Sequence, residues 1–175
     1  ADDVIGALVI KKSRVEFNPE KIMIVSSDRD FLQLQRFPNV KQFSPLLKKE
    51  LKEDNARYYL LNHIIRGDKG DGVPNILSND DTFVEGFRQT PMTQKKVDNI
   101  IEDLEEGELL YAASWYRNYL RNEQLISLTE TPQDLKNEII NIYEKQDPWS
   151  NKGKVLPYLI AKRCNNLISS VQEFI

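Results

Sequence analysis

The stretch that most constrains the fold is residues 21–30, Lys-Ile-Met-Ile-Val-Ser-Ser-Asp-Arg-Asp. Ile22 to Val25 reads as a short apolar strand that delivers two carboxylates, Asp28 and Asp30, at its C-terminal end. In open α/β sheets that end carries the chemistry, because its loops vary while the strand stays rigid. Two acids so close repel one another, and a divalent cation is the usual remedy. The plainer alternative is that one of them caps a helix over 29–36.

The flanking residues extend the pattern. Apolar residues at 4, 5, 8 and 9 follow Asp2 and Asp3, predicting a helix over 2–12 with its acids on the first turn. Capping alone would account for that pair. Asn18-Pro19 breaks the chain before the strand. Phe31, Leu32, Leu34 and Phe37 supply the buried side of the short helix, and residues 40–44 alternate as a second strand. Helix, strand, helix, strand is the rhythm of a doubly wound α/β layer with parallel strands. Two strands are too few for a stable sheet. The chain also starts at Ala1 without a methionine, so we expect a piece of a longer protein.

Residues 48–54 read as a charged connector, and beyond them the pattern is helical, which divides the chain into 1–54 and 55–175. Helices are predicted over 56–66, 92–105, 108–121, 133–145 and 155–170. Between the first two lies Gly67-Asp68-Lys69-Gly70-Asp71-Gly72-Val73-Pro74, whose glycines permit positive φ and a concave turn. His63, the only histidine, lies among apolar residues and reads as a packing or solvated side chain. Trp115, Tyr116 and Tyr119 fit a helix core better than a base-stacking platform.

Composition excludes little. A net charge of -3 over 175 residues does not advertise nucleic acid, and a single cysteine, Cys164, rules out an internal disulfide. No apolar run is long enough to span a membrane. Three acidic pairs remain: Asp2/Asp3, Asp28/Asp30 and Asp68/Asp71. Together they suggest a site for a hard cation that prefers carboxylate and water oxygens. A calcium EF-hand at Asp68 is set aside, because Gly70, Gly72 and Asn79 occupy ligand positions. Zinc would need further His or Cys.

Three segments, in order, resemble motifs of the flap-endonuclease family of 5′-nucleases, nearest to its phage T4-type ribonuclease H branch. Ala1-Asp2-Asp3-Val4-Ile5-Gly6 resembles the tail of the family's Glu-Ala-Asp-Asp-hydrophobic-Ile-Gly motif. Residues 26–34, with Asp28-Arg29-Asp30, are similar to its Asp-x-Asp motif, and residues 67–74 to its Gly-Asp-x-x-Asp-Asn-hydrophobic-Pro loop. Gly72 departs from the pattern by standing where the family usually has Asn. The motif's glutamate, the first strand and the arch or clamp would precede Ala1.

The resemblance implies the C-terminal part of a PIN-like 5′-nuclease α/β layer, then a mainly helical domain with a helix-turn-helix DNA-binding loop over about 56–104. It implies two Mg²⁺ ions, with Mn²⁺ able to substitute. Asp3 and Asp28, with Asp2 alongside, would serve the first ion; Asp30 and Asp71, with Asp68, the second. Gly67, Lys69, Gly70, Gly72 and Val73 would hold duplex DNA, with Arg66, Lys95 and Lys96 as further phosphate contacts. The implied substrates are RNA–DNA hybrids and flapped or nicked duplexes, cut near 5′ ends during primer removal in replication. The implied setting is the cytoplasm of a bacterium or phage-infected host, as a monomer working with a single-strand binding protein and a sliding clamp. The chain by itself is expected to be inactive. The readings left beside this one are a non-catalytic duplex-binding module and a PIN-like nuclease acting on RNA only.

Overall fold

Asp2 and Asp3 open helix α1 (Asp2–Ser13), where carboxylates complement the helix N-terminus, and Gly6, Ala7, Val9 and Ile10 form its buried side. The computed structural model describes residues 1–14, 19–107, 113–147 and 152–173. Strand β1 (Ile22–Val25) follows, then a 3-10 helix (Asp30–Arg36) and strand β2 (Val40–Ser44). β1 and β2 run parallel, Ile22 opposite Val40 and Val25 opposite Phe43.

Residues 48–54, expected as a connector, contain a third strand, β3 (Lys49–Leu51), antiparallel to β2. Lys48, at φ 52, turns the chain back. Lys49 and Glu50 are exposed, and Glu50 meets Lys41 of β2 at 3.0 Å. An edge strand can be this charged because water solvates its outer side. The sheet order is β1-β2-β3. The expected helix over 29–36 is 3-10 rather than α, its Leu32 amide donating to Arg29 O at 3.0 Å.

The helices α2 (Ala56–Arg66), α3 (Gln94–Glu106), α4 (Tyr116–Ile126) and α5 (Gln133–Lys145) come next. Asn55 caps α2 by accepting from the Tyr58 amide, and Thr93 caps α3 by accepting from the Lys96 amide. The helix expected over 108–121 falls partly outside the described residues; its described part, α4, runs on to Ile126. The cause is a buried stripe of Tyr119, Asn122 and Ile126, in which a polar Asn hides the apolar period.

The chain divides into two compact units, residues 1–139 and 140–175. The first holds two apolar clusters. Val9, Ile10, Ile24, Phe31, Leu34, Val40 and Leu128 pack beneath the sheet. Ile64, Ile65, Val73, Ile76, Val97, Ile100, Ile101, Tyr119 and Ile126 pack among the helices. Two buried carboxamides hold the parts in register. Gln33 donates to Ile126 O at 3.2 Å and accepts from the Leu128 amide at 2.9 Å. Asn122, fully buried, donates to Ile64 O at 2.8 Å and Pro74 O at 2.9 Å.

The second unit contains α6 (Val155–Ala161) and α7 (Asn165–Ile168), with 3-10 turns at Lys152–Lys154 and Val171–Glu173. The single helix expected over 155–170 is interrupted because Arg163 adopts φ 56, and the Cys164 amide folds back onto Leu159 O at 2.9 Å. Leu159 is buried, whereas Tyr158, Ile160 and Leu167 are exposed. Among the described residues, no helix is long and apolar enough to cross a membrane.

Replacing Asn122 with Ala removes the side-chain donor to Ile64 O and leaves Pro74 O with Arg121 alone. We expect a loss of about 2–3 kcal/mol, read as a lower urea midpoint with an unchanged slope.

Candidate metal centre

The β1 tip is held from several sides. The Ser26 amide donates to Phe43 O at 3.0 Å, continuing the parallel pairing beyond the strand. Gln42, buried on β2, donates to Ser26 O at 2.9 Å and also to Asp28 O. Ser27 and Ser44 hydroxyls meet at 2.8 Å. Asp28 accepts from the Asp30 amide at 3.0 Å, an Asx turn that leads into the 3-10 helix. The expected cap is not formed: Arg29 takes the N-cap position with no side-chain cap hydrogen bond, and the Asp30 carboxyl points elsewhere.

Asp30 faces the last turn of α2. Its Oδ1 lies 3.6 Å from His63 Nδ1, and His63 Nε2 lies 3.0 Å from Asp68 Oδ2. One ligand-type atom each from Asp30, His63 and Asp68 lies within 4.8 Å of the others. Burial, then the Asp28 charge, pushes the Asp30 carboxyl above its ordinary value; His63 opposes this, while Asp68 and Asp71 add to it. The adjacent Asp28 and the sequence-distant pair Asp68/Asp71 thus act on one carboxyl.

The glycine loop brings Asp68 there. Gly67, at φ 70, ends α2, and a Cβ at that position would sit 2.4 Å from Val73 O. Only glycine fits so close an approach. The Val73 amide donates to Asp68 O at 2.7 Å, and Val73 itself is buried in the helical core. Asp68 Oδ1 accepts from the amides of Gly70 at 2.7 Å and Asp71 at 3.2 Å. Burial opposes ionisation of Asp68, but the hydrogen bonds from the Asp71 amide, the His63 ring and the Gly70 amide outweigh it and hold its carboxyl below the ordinary value. Gly72, at φ 75, has open space around it, and its amide donates to Lys69 O at 3.3 Å.

The other sequence-predicted residues take different places. Asp2 and Asp3 are exposed on α1, and Asp3 Oδ1 accepts from the Thr131 hydroxyl at 2.7 Å. Arg66 joins α2 to the start of α3 through Asn62 at 2.9 Å, Met92 O at 3.0 Å and Gln94 at 2.8 Å. Lys96 donates to Pro91 O at 3.1 Å, and Lys69 and Lys95 are exposed. The amides of Gly70, Asp71, Gly72 and Val73 bond within the loop, which leaves Lys69 as its outward cation. A cavity of about 430 Å³ opens beside His63, lined also by Tyr58, Tyr59, Asn62 and Arg66.

His63 is the residue that sequence reasoning passed over. Its neighbours Ile64 and Ile65 are buried, which made the segment look like core. The available signal was the Tyr59–His63–Gly67 spacing of four, which puts the imidazole on the flank of α2 that leads into the acidic loop. Tyr59 packs edge-on against it with ring centroids 6.1 Å apart.

The family described as T4 RNase H, C terminal, matches residues 55–174 of this chain. Ribonuclease H of Enterobacteria phage T4 is 36% identical over 181 residues, covering 99% of this chain and 57% of that protein. The chain thus spans a little over half the length of this curated relative. Among solved structures, a T5 5′-exonuclease mutant aligns with a TM-score of 0.49 at 18% identity, covering 82% of this chain and 65% of that one. A second T5 structure, co-crystallized with metal ions, gives 0.48 at 16% identity, covering 83% and 60%.

Opposite effects on stability are expected at the two central acids. Asp30, raised in the folded state, costs stability at neutral pH, and the cost fades as pH falls through its raised folded value. Asp30→Asn should therefore stabilise by on the order of 1 kcal/mol at pH 7 in chelator, with the gain vanishing in acid. Asp68, lowered in the folded state, contributes stability above the ordinary carboxylate range that is lost as pH falls through its lowered value. Asp68→Asn should destabilise at pH 7. Urea midpoints across pH check both signs.

Proposed function

This chain belongs to the T4 RNase H, C-terminal, family, and on that premise we propose that it is part of a metal-dependent 5′–3′ nuclease. The observation that supports the reading is the meeting of the β1 tip and the glycine loop at His63, where one ligand-type atom each from Asp30, His63 and Asp68 lies within 4.8 Å of the others. A cluster of like charges held by the fold has the chemistry of a divalent-cation site. Asp28, with Asp3 and Asp2, would hold one ion; Asp30 and Asp71, with Asp68, a second. Mg²⁺ or Mn²⁺ bound there would supply activated water and stabilise charge on the phosphate being cut.

The chain's own residues do the positioning. Gln42 fixes the turn that carries Asp28 and Asp30. The loop amides and His63 hold Asp68 ionised and oriented. In this reading residues 1–54 belong to the PIN-like nuclease layer and 55–175 to the helical domain, with α2, the loop and α3 as a helix-turn-helix that grips duplex. Lys69, exposed at the loop's outer side, would meet a phosphate without reading sequence. Lys95, with Lys96, would extend that phosphate contact from α3. Substrates would be RNA–DNA hybrids and flapped or nicked duplexes, as in primer removal in a bacterial or phage-infected cytoplasm. The C-terminal helices would contact a single-strand binding protein, with a sliding clamp as further partner.

In the full-length protein with Mg²⁺, Asp28→Asn and Asp71→Asn should each lower cleavage of a 5′-labelled flap by at least about a hundredfold. Unchanged turnover in both would overturn the assignment. Lys69→Ala should weaken duplex binding equally across sequences and reduce the slope of affinity against salt by about one, as measured by fluorescence anisotropy.

A further inference from the structure

The imidazole of His63 is better placed than a packing residue needs. Its Nδ1 is buried with no hydrogen-bond partner, 3.6 Å from Asp30 Oδ1, while Nε2 is engaged with Asp68 at 3.0 Å. A buried ring nitrogen without a partner is uncommon and needs a reason. At 3.6 Å an N–H on Nδ1 would be too far from Asp30 for a hydrogen bond. A lone pair on Nδ1 would face a carboxylate oxygen across the same gap and be repelled. A cation between the two atoms satisfies both.

The spacing suits that occupant. Two ligand atoms bound to one ion through bonds of about 2.1 Å lie roughly 3.0–3.4 Å apart, close to the observed gap. The opposite side of the ring completes the pattern. Histidine ligands commonly donate their second ring N–H to a carboxylate, which fixes the tautomer and aims the lone pair. Asp68 stands in that position, itself anchored by the Gly70 and Asp71 amides.

We propose that His63 Nδ1 and Asp30 are direct ligands of a divalent transition-metal ion, with Asp68 orienting the imidazole from behind. This rests on the metal-site reading above but changes its donor set from all-oxygen to mixed nitrogen and oxygen. The consequence is a change in ion preference. Imidazole favours Co²⁺, Ni²⁺ or Zn²⁺, whereas Mg²⁺ and Mn²⁺ prefer oxygen donors, and Mg²⁺ parts with its water reluctantly. His63 would therefore give this site a selectivity that an all-carboxylate site lacks.

The test uses Co²⁺ as probe on the full-length protein, followed by visible absorption and proton NMR. A ligated histidine gives an exchangeable imidazole N–H strongly shifted by paramagnetic Co²⁺. We expect such a resonance in the wild type and its loss in His63→Gln. That variant should weaken Co²⁺ binding about a hundredfold while changing Mg²⁺ affinity less than about threefold. Absence of the shifted resonance in wild-type protein with Co²⁺ bound would overturn the proposal, leaving His63 as a hydrogen-bonding brace. This outcome does not depend on the variant folding. The two readings also fail separately. If the resonance is present while Asp28→Asn and Asp71→Asn leave cleavage intact, the nuclease assignment fails and the ligand assignment stands. If those variants abolish cleavage but the resonance is absent, the ligand assignment alone fails.

Discussion

The buried carboxamide of Asn122 is the interaction on which the arrangement depends. By donating to Ile64 O and Pro74 O it ties the last turn of α2 to the end of the glycine loop. Those backbone groups lie on either side of Asp68. The Ile76 amide, bonded to Ile65 O at 3.1 Å, repeats the tie a step further on. With both ends of the loop anchored in the helical core, Asp68 has little freedom but to stand beside His63. Gln33 does the equivalent for the sheet side, linking the 3-10 helix that begins at Asp30 to the end of α4. Two uncharged amides thus carry the work of holding mutually repelling acids near one another.

That division of labour has an energetic logic. Burial and three neighbouring carboxylates make Asp30 unfavourable as an anion. Such a group persists only where the surroundings over-determine its position. The surroundings here are apolar clusters on both sides and the buried, hydrogen-bonded amides of Gln33 and Asn122, none of which takes part in the proposed chemistry. The cost sits at the tip of β1 and the stabilisation comes from elsewhere, as expected of a working site.

Much of this was legible in the chain. The apolar run Ile22–Val25 and the alternation at 40–44 specified two parallel strands, and the apolar spacing over 56–66, stopped by Gly67, marked α2 at its observed ends. The acids at 28, 30, 68 and 71 were visible as motifs. What remained hidden was whatever depends on partners far away in sequence. β3 has little apolar signal, because its pairing with β2 is a backbone matter and Lys49 and Glu50 are exposed, with only Leu51 half-buried. Nothing in the local sequence announces the role of Asn122, because the carbonyls it serves lie 58 and 48 residues away. His63 was masked by the isoleucines beside it. The interruption after α6 follows from a left-handed arginine, a conformation that no residue type there announces.

The open surroundings of Gly72 bear on how such a loop can change over time. Its φ of 75 belongs to the left-handed region, and nothing lies within 4 Å of where a Cβ would be. Asparagine is the residue most at ease there after glycine. The departure from the family's usual Asn is thus a departure in spelling only. The backbone path at 72 can be written with either residue while the neighbouring acids stay where they are. At Gly67 the carbonyl of Val73 allows no such freedom, so of two glycines in one loop one can be exchanged and the other is sterically required.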